Sequence, residues 1–364
     1  MSVLAAVPPD TPKSQLLGKT LASGWLLTER LEPTTGSSGG NFGVGYKASK
    51  GSEIAFVKAI DFVDALTATD PLLELTKLSN IANFEKDVLA YCAKRGMSKV
   101  LKFIGHEYIS ADGSTNPLSR VSCLIMEAGT EDLRRLLNTN GEGACAWNLQ
   151  VLRDVSQAIA QLHKGGIAHQ DIKPSNVIEV AGVGSSGKIM KVGDLGRVVR
   201  REQAGPFDLL QWPGDRRYSP PERWYGYVPP DWSDARDASD AYMLGSLMVY
   251  LFTGTTMQSL VFNYIPPAFM PGIWTGSFDQ DLMPVLIDAH SKVLNEYLIP
   301  QLEPTIREGI FAVARSLTNP DPLKRGDTNA RKQSGRPVGM DRVHQKLNAL
   351  SITAMAVERG KKRK

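Results

Sequence analysis

The residues best suited to chemistry lie in one short run, His169-Gln170-Asp171-Ile172-Lys173-Pro174-Ser175-Asn176. A second turn downstream carries Asp194-Leu195-Gly196. The first run sets a carboxylate, a lysine and a side-chain amide on one tight loop, and the second adds another carboxylate. Such a set can grip a metal-bound polyphosphate and a hydroxyl beside it.

Elements on both sides must hold these groups in place. An apolar-periodic helix over about Trp147–Lys164 has Leu152, Val155, Ile159 and Leu162 on one face, and Gly165-Gly166 stop it. The strand-like run Val177-Ile178-Glu179-Val180 follows the loop, and a hairpin turn at 181–187 leads to Ile189–Val192. Upstream, a Gly-rich stretch runs from Thr34 to Tyr46 between two strand candidates. It is either a flexible turn or a loop whose backbone N–H groups approach phosphate oxygens. The next strand, Glu53–Ile60, places Lys58 among apolar residues, as an exposed strand residue or as a buried cation awaiting an anion. Residues 61–80 read as a long connection. A helix is expected over about Ile81–Lys94, where Glu85 can project toward the lysine and Asp87 competes for that role.

Val100–Ile109 and Val121–Glu127 read as two further strands. Beyond residue 129 the pattern turns mostly helical, with a strongly apolar helix over Asp237–Thr253 and others within 285–317 and 338–358. The expected organisation is a flexible lead over 1–22, a β-rich domain over 23–129, a mainly helical domain over 130–358 and a basic tail over 359–364. Residues 197–221 and 254–285 read as irregular.

Composition narrows the class. The 364 residues favour two domains. Apolar residues make up 42% and charged residues 22%, as in ordinary globular proteins. A net charge of +4 gives no argument for a nucleic-acid partner, since part of the surplus is the terminal Lys361–Lys364 run. Cys92, Cys123 and Cys145 form no C-x-x-C pair, so neither a disulfide framework nor a zinc site is expected, and the expected compartment is a reducing cytoplasm. No secretion signal or membrane span is expected either.

With these motifs in order, the chain resembles a eukaryotic-type protein kinase of the serine/threonine kind over roughly residues 23–327. His169-x-Asp171-x-Lys173-x-x-Asn176 resembles the catalytic loop, and Asp194-Leu195-Gly196 resembles the metal-binding D-F-G with Leu for Phe. Lys58 and Glu85 resemble the phosphate lysine and its helix partner. Met126-Glu127 resembles the gatekeeper and first hinge residue, and Pro220-Pro221-Glu222 resembles A-P-E. Asp240 and Gly245 resemble the start of the buried sixth helix, and Asp321-Pro322-x-Lys324-Arg325 resembles the late D-P-x-x-R, whose arginine pairs with Glu222.

The resemblance implies an α+β fold of two lobes, a small β-rich lobe with one key helix and a larger helical lobe. It implies ATP and Mg²⁺ (or Mn²⁺) as cofactors and a protein with a Ser/Thr acceptor, the chain itself included, as substrate. Asp171, Lys173, Lys58 and Glu85 would be catalytic. Asn176 and Asp194 would hold metal. Gly40, Phe42 and Gly43 would cover the phosphates, Glu127 and Gly129 the adenine edge, Asp132 the ribose and Ile178 the adenine floor. A pseudokinase scaffold and a small-molecule kinase of the aminoglycoside-phosphotransferase sort are the alternatives.

Three departures from the family pattern carry expectations. Gln170 replaces the loop arginine that an activation-loop phosphate usually neutralises, and 195–221 contain no Thr, so activity without such phosphorylation is expected. Asp215 stands where a Thr is usual and would pair with Lys173 or a neighbouring arginine. Gly45 and Phe56 stand where Val and Ala form the usual adenine roof, so Phe56 would cover the adenine while Gly45 makes room.

Overall fold

The computed structural model describes residues 11–32, 43–140, 145–182, 187–335 and 337–361. The chain divides into two compact units, one of Met1–Thr130 with Asp194–Gly196 and one of the remainder.

The first unit is built on a five-stranded antiparallel sheet of β1 (Leu26–Leu31), β2 (Val44–Lys50), β3 (Glu53–Ile60), β4 (Phe103–Ser110) and β5 (Arg120–Glu127), ordered β1-β2-β3-β5-β4. The period of two is plain in β3. Ala55, Val57 and Ala59 are fully buried on one face, while Phe56 and Lys58 are half-buried on the other. The buried face is covered by Leu16, Leu21 and Trp25. Residues 11–22 are therefore packed, not a flexible lead. Lys13 is buried, with its backbone N–H on Asp61 Oδ2 at 2.7 Å and its Nζ on Asp64 Oδ2 at 2.8 Å. Tyr46 Oη donates to the Lys13 carbonyl. Apolar residues scattered among prolines carry no periodicity, so this docking had no sequence pattern.

The helix after β3, α1 (Pro71–Lys94), starts ten residues before the expected Ile81. Asp70 caps it by accepting from the Leu73 N–H at 3.0 Å, and Pro71 occupies the first turn. Its first turns expose Leu72 and Leu73, which blurred the amphipathic signal there. Farther on, Phe84, Glu85, Val88, Leu89 and Cys92 are buried.

The second unit is mainly helical: α2 (Leu133–Asn140), α3 (Cys145–Lys164), α4 (Pro221–Trp224), α5 (Ala238–Thr253), α6 (Met257–Phe262), α7 (Met283–Val293), α8 (Arg307–Leu317) and α9 (Met340–Lys361). Two short antiparallel pairs lie among them, β6 (Ile167–Ala168) with β9 (Val199–Arg200), and β7 (Val177–Ala181) with β8 (Lys188–Val192). Its core joins Leu152, Val155 and Ile159 of α3 to Leu244 and Leu247 of α5, Leu317 of α8 and Leu347 of α9. At Gly245 an added Cβ would come within 2.8 Å of Leu317 Cβ, so only glycine admits this approach of α5 to the end of α8. α9 lies along α3, with Glu358 Oε1 accepting the Ala146 N–H at 2.9 Å. Residues 359–361, expected as part of a basic tail, are its exposed last turn, and Lys361 pairs with Glu303 at 2.6 Å. The 254–285 stretch holds α6, capped by Thr256, and is packed through aromatic pairs such as Tyr227 on Phe278. No helix among the described residues is long and apolar enough to cross a membrane.

Candidate active site

The catalytic-loop groups converge in the second unit on one carboxylate. Lys173 Nζ lies 2.8 Å from Asp171 Oδ2, and Asn176 Nδ2 donates to the Asp171 carbonyl at 2.8 Å and to Oδ2 at 3.1 Å. The Asp215 N–H donates to Oδ1 at 2.8 Å. Asp171, Lys173 and Asn176 are all at most 5% exposed. The Asn176 amide, anchored through its nitrogen, leaves Oδ1 as its oxygen donor, with a long Ser175 hydroxyl contact of 3.4 Å.

The loop turns sharply to achieve this. Gln170 has φ +64°, a left-handed conformation that a non-glycine residue holds only where its surroundings impose it. Asp240, fully buried at the start of α5, imposes it by accepting the His169 and Gln170 N–H groups, each at 2.7 Å, and meeting His163 Nε2 at 3.0 Å. Burial alone would push the Asp240 carboxyl up. His163 and the loop N–H groups outweigh it and hold it below the ordinary range.

Asp215 pairs with Arg217, not Lys173: Arg217 Nη2 is 2.7 Å from Oδ2 and Nε is 3.1 Å from Oδ1. Burial pushes this carboxyl up, but the Arg217 hydrogen bonds win and keep it below its usual value. Beside it, Gly214 packs so closely on the loop that an added Cβ would fall 2.6 Å from Asp171 Oδ1.

In the first unit, Lys58 Nζ is held by Glu85 at 2.7 and 2.8 Å and lies 3.8 Å from Asp194 Oδ1. Asp87 faces Lys86 instead. The lysine is thus a half-buried cation paired with an anion, not an exposed strand residue. Asp194 adopts φ +54°, a second left-handed non-glycine residue. An added Cβ on Gly43 would touch Lys58 Cγ at 3.1 Å, and one on Gly45 would meet the Phe56 ring at 2.9 Å. The Phe56 ring therefore takes the space that a side chain at 45 would fill.

Glu127 ends β5 with its side chain accepting the Lys102 N–H at 2.6 Å, and Gly129 is exposed. Asp132 and Ile178 are bridged in the second unit, but the Asp132 carboxylate caps α2 through the Arg135 N–H at 3.0 Å and faces Arg134. Gly40 and Phe42 lie outside the described residues.

A model of the protein kinase domain matches residues 75–261, just over half of the chain. The chain belongs to the protein kinase domain family. The matched span holds Glu85, the catalytic loop, Asp194, Glu222 and Asp240, while Lys58 and Arg325 lie outside it. Among curated relatives, the kinase-domain chain is 26% identical over 174 residues to the probable serine/threonine-protein kinase PknB of Lactococcus lactis, covering 48% of this chain and 26% of that protein. It is 32% identical over 134 residues to the probable serine/threonine-protein kinase gdt4 of Dictyostelium discoideum, 37% of this chain and 8% of that one. It is 30% identical over 147 residues to serine/threonine-protein kinase PknB of Mycobacterium leprae, 40% and 21% respectively. The match thus spans about a quarter or less of these relatives' lengths. The two-lobe α+β expectation agrees with the family and with a small antiparallel sheet unit and a helical one.

Motif reading gave Gly214 no role of its own, although it opens the Gly214-Asp215 run before Glu222, and it missed Arg223, which sits one residue past a motif that draws attention to Glu222.

Proposed function

We propose that the chain is an ATP-dependent protein kinase that transfers the γ-phosphoryl group to Ser/Thr hydroxyls of proteins, itself among them, without needing phosphorylation within 195–221. The observation that carries this is Asp171, whose two carboxylate oxygens are held by Lys173, Asn176 and the Asp215 N–H. An acceptor so fixed can orient a substrate hydroxyl and take its proton. Lys173, beside it, neutralises charge on the transferred group, and a lysine at this site favours Ser/Thr over Tyr substrates.

Lys58, positioned by Glu85, holds the α/β-phosphates, and Gly43 covers them. Glu127 and Gly129 would offer backbone groups to the adenine and Phe56 a ring to stack on it, while in the second unit Ile178 is the candidate adenine floor and Asp132 the candidate ribose contact. Mg²⁺, when bound, would supply charge neutralisation to the phosphate oxygens. Asn176 Oδ1 and the Asp194 carboxylate are hard oxygen donors of the kind that would hold such an ion.

Radiolabelled-ATP transfer to a generic protein substrate, compared among wild type, Asp171→Asn and Asp194→Asn, tests the reading. Transfer by the wild type, lost in both folded variants, is expected. Absence of transfer to any protein, the chain included, points to a scaffold or a small-molecule kinase.

A further inference from the structure

Arg223 sits at the centre of a contact set that no part of the catalytic scheme above uses. It is 7% exposed, in α4. Its Nη2 donates to Gln170 Oε1 at 2.9 Å and reaches the Ala235 carbonyl at 3.5 Å, while Nη1 lies 3.3 Å from the carbonyls of both Leu210 and Gln211. Gln211 Nε2 returns a bond to the Arg223 carbonyl at 2.9 Å. A neighbouring guanidinium, Arg236, donates to the Asp208 carbonyl.

Gln170 completes the set. Its Nε2 donates to Asp240 Oδ1 and to the Arg236 carbonyl, each at 3.0 Å, so both donors and the acceptor of its amide are used. The side chain is fully buried, in the residue directly before Asp171. A neutral amide is also the group that two adjacent guanidiniums tolerate. Burial and Arg236 already push Arg223 down to about 10. A third cation at 170 would have no carbonyl to offer Arg223 and would repel both arginines.

Residues 208–215 are thus tied at Asp208, Leu210 and Gln211 by two arginines, and at Asp215 by Asp171 itself. We propose that Arg223 is a positioning residue for phosphoryl transfer: through Gln170 and the Leu210 and Gln211 carbonyls it clasps residues 208–215 to the catalytic loop, with no phosphate in the joint. The inference rests on the kinase reading given above. The planar fork of arginine is what allows one side chain to reach several carbonyls and an amide at once.

The full chain is compared as wild type, Arg223→Met, Arg223→Lys, Gln170→Met and Gln170→Arg, each checked by thermal unfolding. Arg223→Met is expected to lower kcat by on the order of tenfold to a hundredfold, with KM for ATP within about twofold, because Asp171 is misplaced while nucleotide contacts stay. Backbone amide exchange over 208–215 speeds up in the same variant, and Arg223→Lys restores only part of kcat. Gln170→Met reproduces the loss with Arg223 intact, which covers the case in which Arg223→Met fails to fold. Gln170→Arg loses activity as well, and phosphatase-treated wild type keeps its turnover. A folded Arg223→Met or Gln170→Met with wild-type kcat, or exchange over 208–215 unchanged, overturns the clasp. A wild type that transfers no phosphate, alongside faster exchange in Arg223→Met, overturns the kinase reading and with it the role in phosphoryl transfer, while the structural clasp of 208–215 stands.

Discussion

Arg325 and Glu222 meet in a bidentate ion pair, Nη1 to Oε1 at 2.7 Å and Nη2 to Oε2 at 2.9 Å, with both side chains at most 1% exposed. The same guanidinium donates to the carbonyls of Asn319, Ala238 and Pro320. Removing one partner strands a buried charge. Arg325→Met should therefore cost about 3–5 kcal/mol in denaturant unfolding. Adding Glu222→Leu should recover much of that loss but not all, since three carbonyls still lack their donor. A single variant as stable as wild type would contradict this account.

Gly214 faces the loop where no side chain fits. Gly214→Ala would drive a methyl into Asp171 and the Gln170 carbonyl. The expected result is a fall in kcat on the order of a hundredfold with modest change in melting temperature, because the displaced atom belongs to the carboxylate proposed to accept the substrate proton. Steady-state kinetics beside a melting curve checks it.

The adenine roof proposed for Phe56 and Gly45 makes an affinity prediction. Phe56→Ala should weaken ATP binding by about 1–3 kcal/mol, the range of base–aromatic stacking. Gly45→Val alone should also weaken it, because its Cβ starts 2.9 Å from the Phe56 ring. The pair of changes together should bind ATP better than either alone. Titration calorimetry reads all three, and unchanged affinity in Phe56→Ala would refute the stacking role.

His290 sets a pH response. It is 6% exposed, its ring 2.9 Å from the Thr318 hydroxyl, and burial, then Arg325 and Arg315, push it down to about 4. Below about pH 6.5 the unfolded chain takes up a proton that the folded chain refuses until about pH 4, so stability drops across that window. The full loss is roughly 3 kcal/mol, and it is present only once pH has fallen through the folded-state value. Melting temperature against pH should slope less between 4 and 6.5 in His290→Gln than in wild type.

Sequence alone named the candidate residues. The order of Lys58, Glu85, Asp171, Lys173, Asn176 and Asp194 is written in residue types, and the helices around the loop are legible because a buried helix face repeats every three to four residues. The 3.6-residue period of α3 and the alternation of β3 needed nothing beyond the chain itself.

Tertiary structure decided what has no period. Leu16, Leu21 and Trp25 are ordinary apolar residues until a sheet face needs covering, and Lys13 looks solvated until Asp61 and Asp64 surround it. The start of α1 was hidden because its first turns point outward, although Asp70-Pro71 carried a local start signal. Asp215 had two candidate partners, and distance chose Arg217. Gln170 read as a missing arginine. In the fold it is the carbonyl that receives Arg223 from 53 residues away, a relation that no local pattern encodes because hydrogen bonds between distant segments depend on where the chain returns.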